Sequence, residues 1–416
     1  MLFGTRLVVI LFSVMFIVSD IFAAGSYEWP QWRGANRDGL SKETGLLKQW
    51  PSGSPVQVWK ISDLGVGYSG FSAVKGKMFT MGDLDGGCHL IALDEFTGKK
   101  LWSTKIGETG QYGGYEGPRG TPTVDGNCVY ALNQHGDLVC VDSAVGREIW
   151  RKSLTKDFGG RIPSWGYAES PLVDGDKVIV TPGGGQGAIV ALNKKTGDKI
   201  WQTKDFTDPA HYSSMIIENV LGQRQVIQFT PASVVGVSVS DGKVLWRGDR
   251  PGKVAVVPTP IYADNQVFVC SAYGVGCNAF KIVKEGTSFK AEQLYANKNM
   301  VNHHGGVILL NGYLYGHCDG KGWVCQDFKT GEIAWVNKGV GKGAISYADG
   351  HFYIRSETGD GPVALIEANP REYVEKGRFS QPDRSNKKSW THPVILNGKL
   401  YIRDQGILLC YDIKQK

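Results

Sequence analysis

Six short stretches of this chain gather residue types that bind ligands or do chemistry: GYSG (67–70), GPRGTP (117–122), WGYAESP (165–171), HYSS (211–214), NHHGG (302–306) and WTHP (390–393). They hold Arg119, Trp165, Glu169, His211, His303, His304, Trp390 and His392. A guanidinium, imidazoles, a carboxylate and indoles offer charge pairing, hydrogen bonding and ring stacking. Glu169 is the obvious carboxylate of the set and so the candidate catalytic acid or base. Glu169 and His304 are the candidate metal ligands. Adjacent side chains on extended backbone point apart, so His303–His304 supplies at most one ligand to a metal without help from elsewhere. No nucleophile constellation is visible, which argues against hydrolysis. GGGQGA (183–188) fits a dinucleotide-binding pattern, but a strand with its own Thr-Gly turn follows where that motif requires a long helix.

The elements that must position these stretches repeat. ALDEFTGKKLW ends at Trp102, CVDSAVGREIW at Trp150, ALNKKTGDKIW at Trp201, GVSVSDGKVLW at Trp246 and CQDFKTGEIAW at Trp335. A glycine stands four residues before each tryptophan (Gly98, Gly146, Gly197, Gly242, Gly331), and Asp or Asn stands eight before four of them. A period of about 40–50 residues is that of four-stranded propeller blades. Units are expected at 72–106, 121–154, 170–204, 214–249, 259–298, 305–341 and 343–380. The final unit, from His392, has three strands and then the chain ends, while Val56–Ser62 carries a spare strand with Trp59. Pairing the two closes a ring of eight blades without free sheet edges. The fold is therefore expected to be all-β, an eight-bladed propeller over 56–416, with 26–55 as an N-terminal extension packed on it.

Strands alternate in direction along each blade. The short Asp-Gly and Thr-Gly turns thus share one face, and the six stretches above share the other. Each precedes an innermost strand, which places the whole set around one funnel mouth. Convergent polar and aromatic groups in a concave mouth are the default expectation for a binding site.

Composition agrees. Glycine makes up 56 of 416 residues, about twice the usual share, as a turn-rich β protein requires. Charged residues at 21% and apolar ones at 42% exclude intrinsic disorder. The net charge of +6 is spread without a Lys/Arg stripe, so nucleic acid is not an expected partner. Residues 1–25 combine Arg6, the apolar run Leu7–Val18 and small residues at 23–25, the pattern of a secretory signal peptide. No later stretch is long and apolar enough to span a membrane, so the mature chain is expected to be an exported, soluble monomer in the periplasm or outside the cell. The eight cysteines fit that compartment, with Cys270/Cys277 and Cys318/Cys325 placed to face each other across hairpins as disulfide candidates.

From WPQWRGANRDG (29–39) to LYIRDQGILLCYD (400–412) the chain resembles the exported PQQ-like (pyrroloquinoline-quinone-type) β-propeller repeat proteins, whose blade signature is A-x-D-x-x-T-G-x-x-x-W. That superfamily includes quinoprotein dehydrogenases and a non-enzymatic outer-membrane assembly factor. For a dehydrogenase the resemblance implies PQQ with Ca2+. Glu169 would then serve the metal, Arg119 a cofactor carboxylate, and Trp165 or Trp390 the ring, with His304 and His392 beside them. The sequence departs from that pattern: no two cysteines are adjacent, and no C-x-x-C-H haem site is present. The expected function is therefore a ligand-binding or protein-interaction module working through its funnel mouth, with a PQQ-dependent alcohol or sugar dehydrogenase as the alternative.

Overall fold

The computed structural model describes Met1 and residues 27–416; the expected signal peptide lies outside the described residues. Eight four-stranded antiparallel sheets follow one another at 71–107, 123–153, 172–202, 216–249, 261–297, 307–337, 343–379 and 394–412. The last has three strands of its own and takes Val56–Ile61 as its fourth, with Trp59 opposite Cys410 and Val56 opposite Asp412. First strands of neighbouring blades face one another around the axis. The eight-bladed ring closed by the N-terminal strand is thus the observed fold.

The repeat signature has a packing cause. A Cβ on Gly146 would lie 2.7 Å from the Trp102 ring, on Gly197 2.9 Å from Trp150, and on Gly242 2.5 Å from Trp201. Each of these three tryptophans therefore sits on the turn glycine of the next blade. These glycines also have positive φ, so both space and backbone demand glycine. The indole N–H then reaches the same neighbour: Trp102 donates to Ser143 O, Trp150 to Lys194 O and Trp201 to Val239 O at 2.9–3.3 Å. The Asp or Asn that opens the turn accepts backbone N–H groups two and three residues on, as Asp94 does from Phe96 and Thr97. The tryptophan missing between Trp246 and Trp335 is replaced by Tyr295, packed on Gly331 with its hydroxyl donating to Phe328 O at 2.9 Å.

The N-terminal segment straps the turn face. Trp29 pairs with Ala73 in the first blade, and Val124 N donates to Pro30 O in the second. Arg37 donates to Ser170 O, Pro171 O and Met215 O in the third and fourth blades. Arg33 reaches Val307 O in the sixth at 2.7 Å, and Leu40 pairs with Tyr347 in the seventh. Arg33 and Arg37 are buried in the channel, where backbone carbonyls take the place of water.

Two features depart from the sequence-based expectations. All eight cysteines are free: Cys270 does stand opposite Cys277, but Cys318 pairs with Gly322 and Cys325 with Tyr315. The Gly-rich bend of that hairpin moves the register, so Cys318 and Cys325 cannot meet. In addition, a small hairpin of Gln111–Tyr112 and Tyr115–Glu116 interrupts the connection between the first two blades and hangs over the mouth.

Candidate functional site at the funnel mouth

The loops leading into the innermost strands surround a cavity of about 970 Å3, its open mouth included. Its walls are rings. Tyr68 stacks on Trp390 with centroids 4.1 Å apart and planes at 25°, and Tyr115 lies 4.8 Å from the same indole. His304 continues this wall 5.6 Å from Trp390. Trp165 meets Tyr212 edge-on at 6.2 Å, and Tyr273 meets His303 at 5.4 Å. The floor comes from the strap: Trp32 lines the cavity, donates its indole N–H to Thr259 Oγ1 at 2.9 Å, and lies 4.7 Å from the His392 ring. The cavity is therefore closed toward the axis by Trp32 and open at a rim where Tyr273 is 50% and Val254 39% exposed.

Arg119, Trp165, His303, His304 and Trp390 line this cavity. Glu169, His211 and His392 do not, and Glu169 and His304 are buried rather than on exposed loops. Glu169 is 2% exposed because its neighbours Ala168 and Ser170 face the cavity, so its side chain turns the other way on extended backbone. Its Oε1 accepts from Thr181 N and its Oε2 from Gln228 Nε2 at 3.1 Å. Burial pushes its carboxyl up to about 7, against the pull of those bonds and of Arg37. His392 contacts His304 O through Nε2 at 2.9 Å, and burial and the Arg33 charge push it down to about 3. The neutral ring therefore donates that proton. His211 accepts from Val256 N through Nδ1 at 3.2 Å, and burial lowers it to about 4.

The sequence reading missed Trp32, Tyr68, Tyr115, Tyr212, Tyr273 and Glu357. Tyr68 and Tyr212 stand inside GYSG and HYSS, so an aromatic in each stretch was the available signal. Tyr273 and Glu357 follow second strands, on loops that open on the same face.

Glu357 organises one wall. Its Oε2 accepts from His304 Nε2 at 2.8 Å and from Trp390 Nε1 at 2.9 Å, and Lys388 Nζ lies 3.6 Å from Oε1. Burial alone would raise this carboxyl; the His304 bond and the charges of Lys388 and Lys342 hold it down at about 2. Lys342 Nζ donates to His303 Nδ1 at 2.8 Å and pairs with Asp319 at 2.9 Å. Burial, with the neighbouring His304 and Lys342, pushes His303 down to about 3, leaving it neutral. Beside the Tyr68 end of this wall, Arg119 donates from Nη1 to Gly117 O and from Nη2 to Tyr112 O and Tyr115 O, at 3.0–3.1 Å. Its carbon lies 5.7 Å over the Tyr68 ring.

A calcium-bound quinone does not fit this donor set. The described residues contain no group of three His, Cys, Asp or Glu side chains able to hold a metal ion. Glu169 is turned away from the cavity and bonded to Thr181 and Gln228, and Glu357 is committed to His304 and Trp390. What the arrangement offers is ring contact, one guanidinium and an imidazole fixed by a carboxylate.

A family model described as "Outer membrane protein assembly factor BamB" matches residues 59–337. The BamB of Yersinia pestis is 22% identical over 338 residues, covering 75% of this chain and 77% of that protein. The first curated relatives are spanned over only about half their length, 58% and 45%. Among solved structures, BamB from Moraxella catarrhalis superposes with a TM-score of 0.58 at 16% identity, covering 87% of this chain and 98% of that one. Quinohemoprotein alcohol dehydrogenase from Comamonas testosteroni gives 0.65 at 14% identity, over 94% and 81%. At such identities these two structures share the fold alone.

Proposed function

The chain belongs to the family of the outer membrane protein assembly factor BamB, and on that premise we propose that it is an exported interaction propeller whose mouth receives a segment of a partner polypeptide. The observation that supports this is the aromatic cavity floored by Trp32 and rimmed by Tyr273 and Val254. Rigid rings hold large contact area at little entropic cost, and a pocket closed on one side desolvates a side chain inserted from the other. The blades supply the rigidity, and the loops supply the chemistry.

The dehydrogenase alternative has fold likeness behind it but no donor set in the mouth, and no catalytic step is assigned. Export through residues 1–25 belongs to the same proposal, and N-terminal sequencing of the protein recovered from its native host checks it. The binding reading is tested by titrating purified protein with short peptides rich in aromatic residues and following tryptophan fluorescence. Saturable quenching that weakens about tenfold in Trp165→Ala, with an unchanged melting temperature, supports the mouth as the site. Equal binding by the variant moves the site elsewhere.

A further inference from the structure

Resting on that reading of the mouth, we propose that the segment it receives presents a carboxylate beside an aromatic ring, the ring taken by the Tyr68–Trp390 wall and the carboxylate by Arg119. Arg119 carries five N–H groups and the structure gives acceptors to three, all of them backbone carbonyls. Its Nε finds no partner. No carboxylate lies within ion-pair distance of it, although Lys342, Lys388 and Arg384 around the same mouth each have one. A guanidinium partly withdrawn from water and lacking a counter-ion is held at a cost that an incoming anion removes. Burial accordingly pulls the Arg119 pKa down, with only phenols and Asp83 opposing that.

The sign of the ligand charge follows from comparing the two charged groups beside the aromatic wall. An aromatic cage can also hold a cation, but the acid behind this one, Glu357, already accepts from His304 and Trp390 and has Lys388 3.6 Å away as its counter-ion. Arg119 is the uncompensated charge. Geometry adds the ring: the Arg119 guanidinium lies 5.7 Å from the Tyr68 centroid, and the same Tyr68 ring stacks on Trp390, so charge and aromatic wall meet at one residue. A peptide that carries its acid group on the same residue as an aromatic ring, or on the neighbouring residue, can reach both partners.

The test uses the whole mature protein and four probes followed by tryptophan fluorescence and calorimetry at low salt. N-acetylphenylalanine places the carboxylate at a chain end, and capped Asp-Phe amide places it within a segment. N-acetylphenylalanine amide and capped Asn-Phe amide are their neutral counterparts. At least one acid should bind about tenfold or more tightly than its neutral counterpart, as a charge-assisted bond in a dry site implies. That preference should fall with added salt. Either acid supports the inference, and the preferred one tells chain end from internal segment. In Arg119→Gln the preference should shrink to within twofold, and Arg119→Lys should keep part of it. Because Arg119 also ties down the 111–116 hairpin, the wild-type ratio and its salt dependence decide the matter even if Arg119→Gln folds poorly. Equal binding of acids and amides, weakened alike by Trp165→Ala, overturns the carboxylate and leaves the mouth as a binding site. Tighter binding of phenethylamine than of the acids also overturns it. Failure of every probe and every aromatic peptide removes both this inference and the reading beneath it.

Discussion

The Trp32 indole tilts over the His392 imidazole with 4.7 Å between ring centroids and 55° between planes. A residue of the N-terminal strap thereby meets the last loop before the final blade, deep in the channel. The strap is thus both the seal of the turn face and the floor of the mouth. Stability and binding are tied together through a segment that contributes no strand to any blade.

Arg37 is the strap's strongest tie, with three main-chain carbonyls from two blades on its guanidinium and Gln31 on its Nε. Truncation leaves those carbonyls buried and unpaired. Arg37→Ala should lower the unfolding free energy by about 3–5 kcal/mol, the range for breaking a buried charged network. Urea unfolding followed by tryptophan emission measures this; a change below about 0.5 kcal/mol would show that the strap is dispensable.

Ring closure should be equally exacting. Trp59 packs on Gly98, as the blade tryptophans pack on theirs, and Val56–Ile61 covers the edge of the last sheet. Deleting 56–61 exposes that edge, so aggregation or loss of a single cooperative transition is expected in light scattering and calorimetry. A soluble deletion variant with the parent's melting curve would contradict the closure.

Glu169 gives a pH signature of its own. Its carboxyl is raised from the ordinary value near 4.5 to about 7 in the folded chain, so the folded state holds the proton more tightly than the unfolded state does. Its stabilising contribution is complete below about pH 4.5 and disappears as pH rises through 7. At about 1.4 kcal/mol per pH unit this is roughly 3 kcal/mol over the window. Glu169→Gln should be destabilised by about 1–3 kcal/mol at pH 5, because its amide N–H2 faces the Gln228 N–H2, where the protonated acid keeps an oxygen that can accept. The gap to wild type should narrow steadily toward pH 8. A gap that is constant with pH would mean that Glu169 stays ionised in the fold.

The blades were legible because they are written in local chemistry. Asp94 opening a turn, Gly146 seating Trp102 and Trp59 standing in for a missing partner all show at fixed spacing. The mouth was half legible. Loop positions told which residues approach the axis, but not which way each side chain turns. Glu169 was misjudged because two neighbours on extended backbone took the cavity side. Trp32 was missed because nothing local in WPQWRG says that the segment crosses the channel and rises into the opposite face's pocket. Glu357 was missed because its role depends on His304, 53 residues away, and on Trp390, 33 residues away.

The Glu357 carboxylate holds both Trp390 and His304 by one oxygen, so its part in binding is to fix a wall. Glu357→Ala frees the indole and the imidazole together. Affinity for aromatic probes should then fall about tenfold, and stability by about 1–3 kcal/mol for two donors left without an acceptor. Glu357→Gln keeps an acceptor oxygen at the same place and removes the charge. If the role is geometric, Gln should retain most of the affinity, and an anionic probe should bind at least as tightly as to wild type. Parallel titrations of the three proteins decide this. If Gln and Ala lose affinity equally, the charge of Glu357 rather than its grip on Trp390 shapes the site, and a cationic ligand group would then suit the mouth.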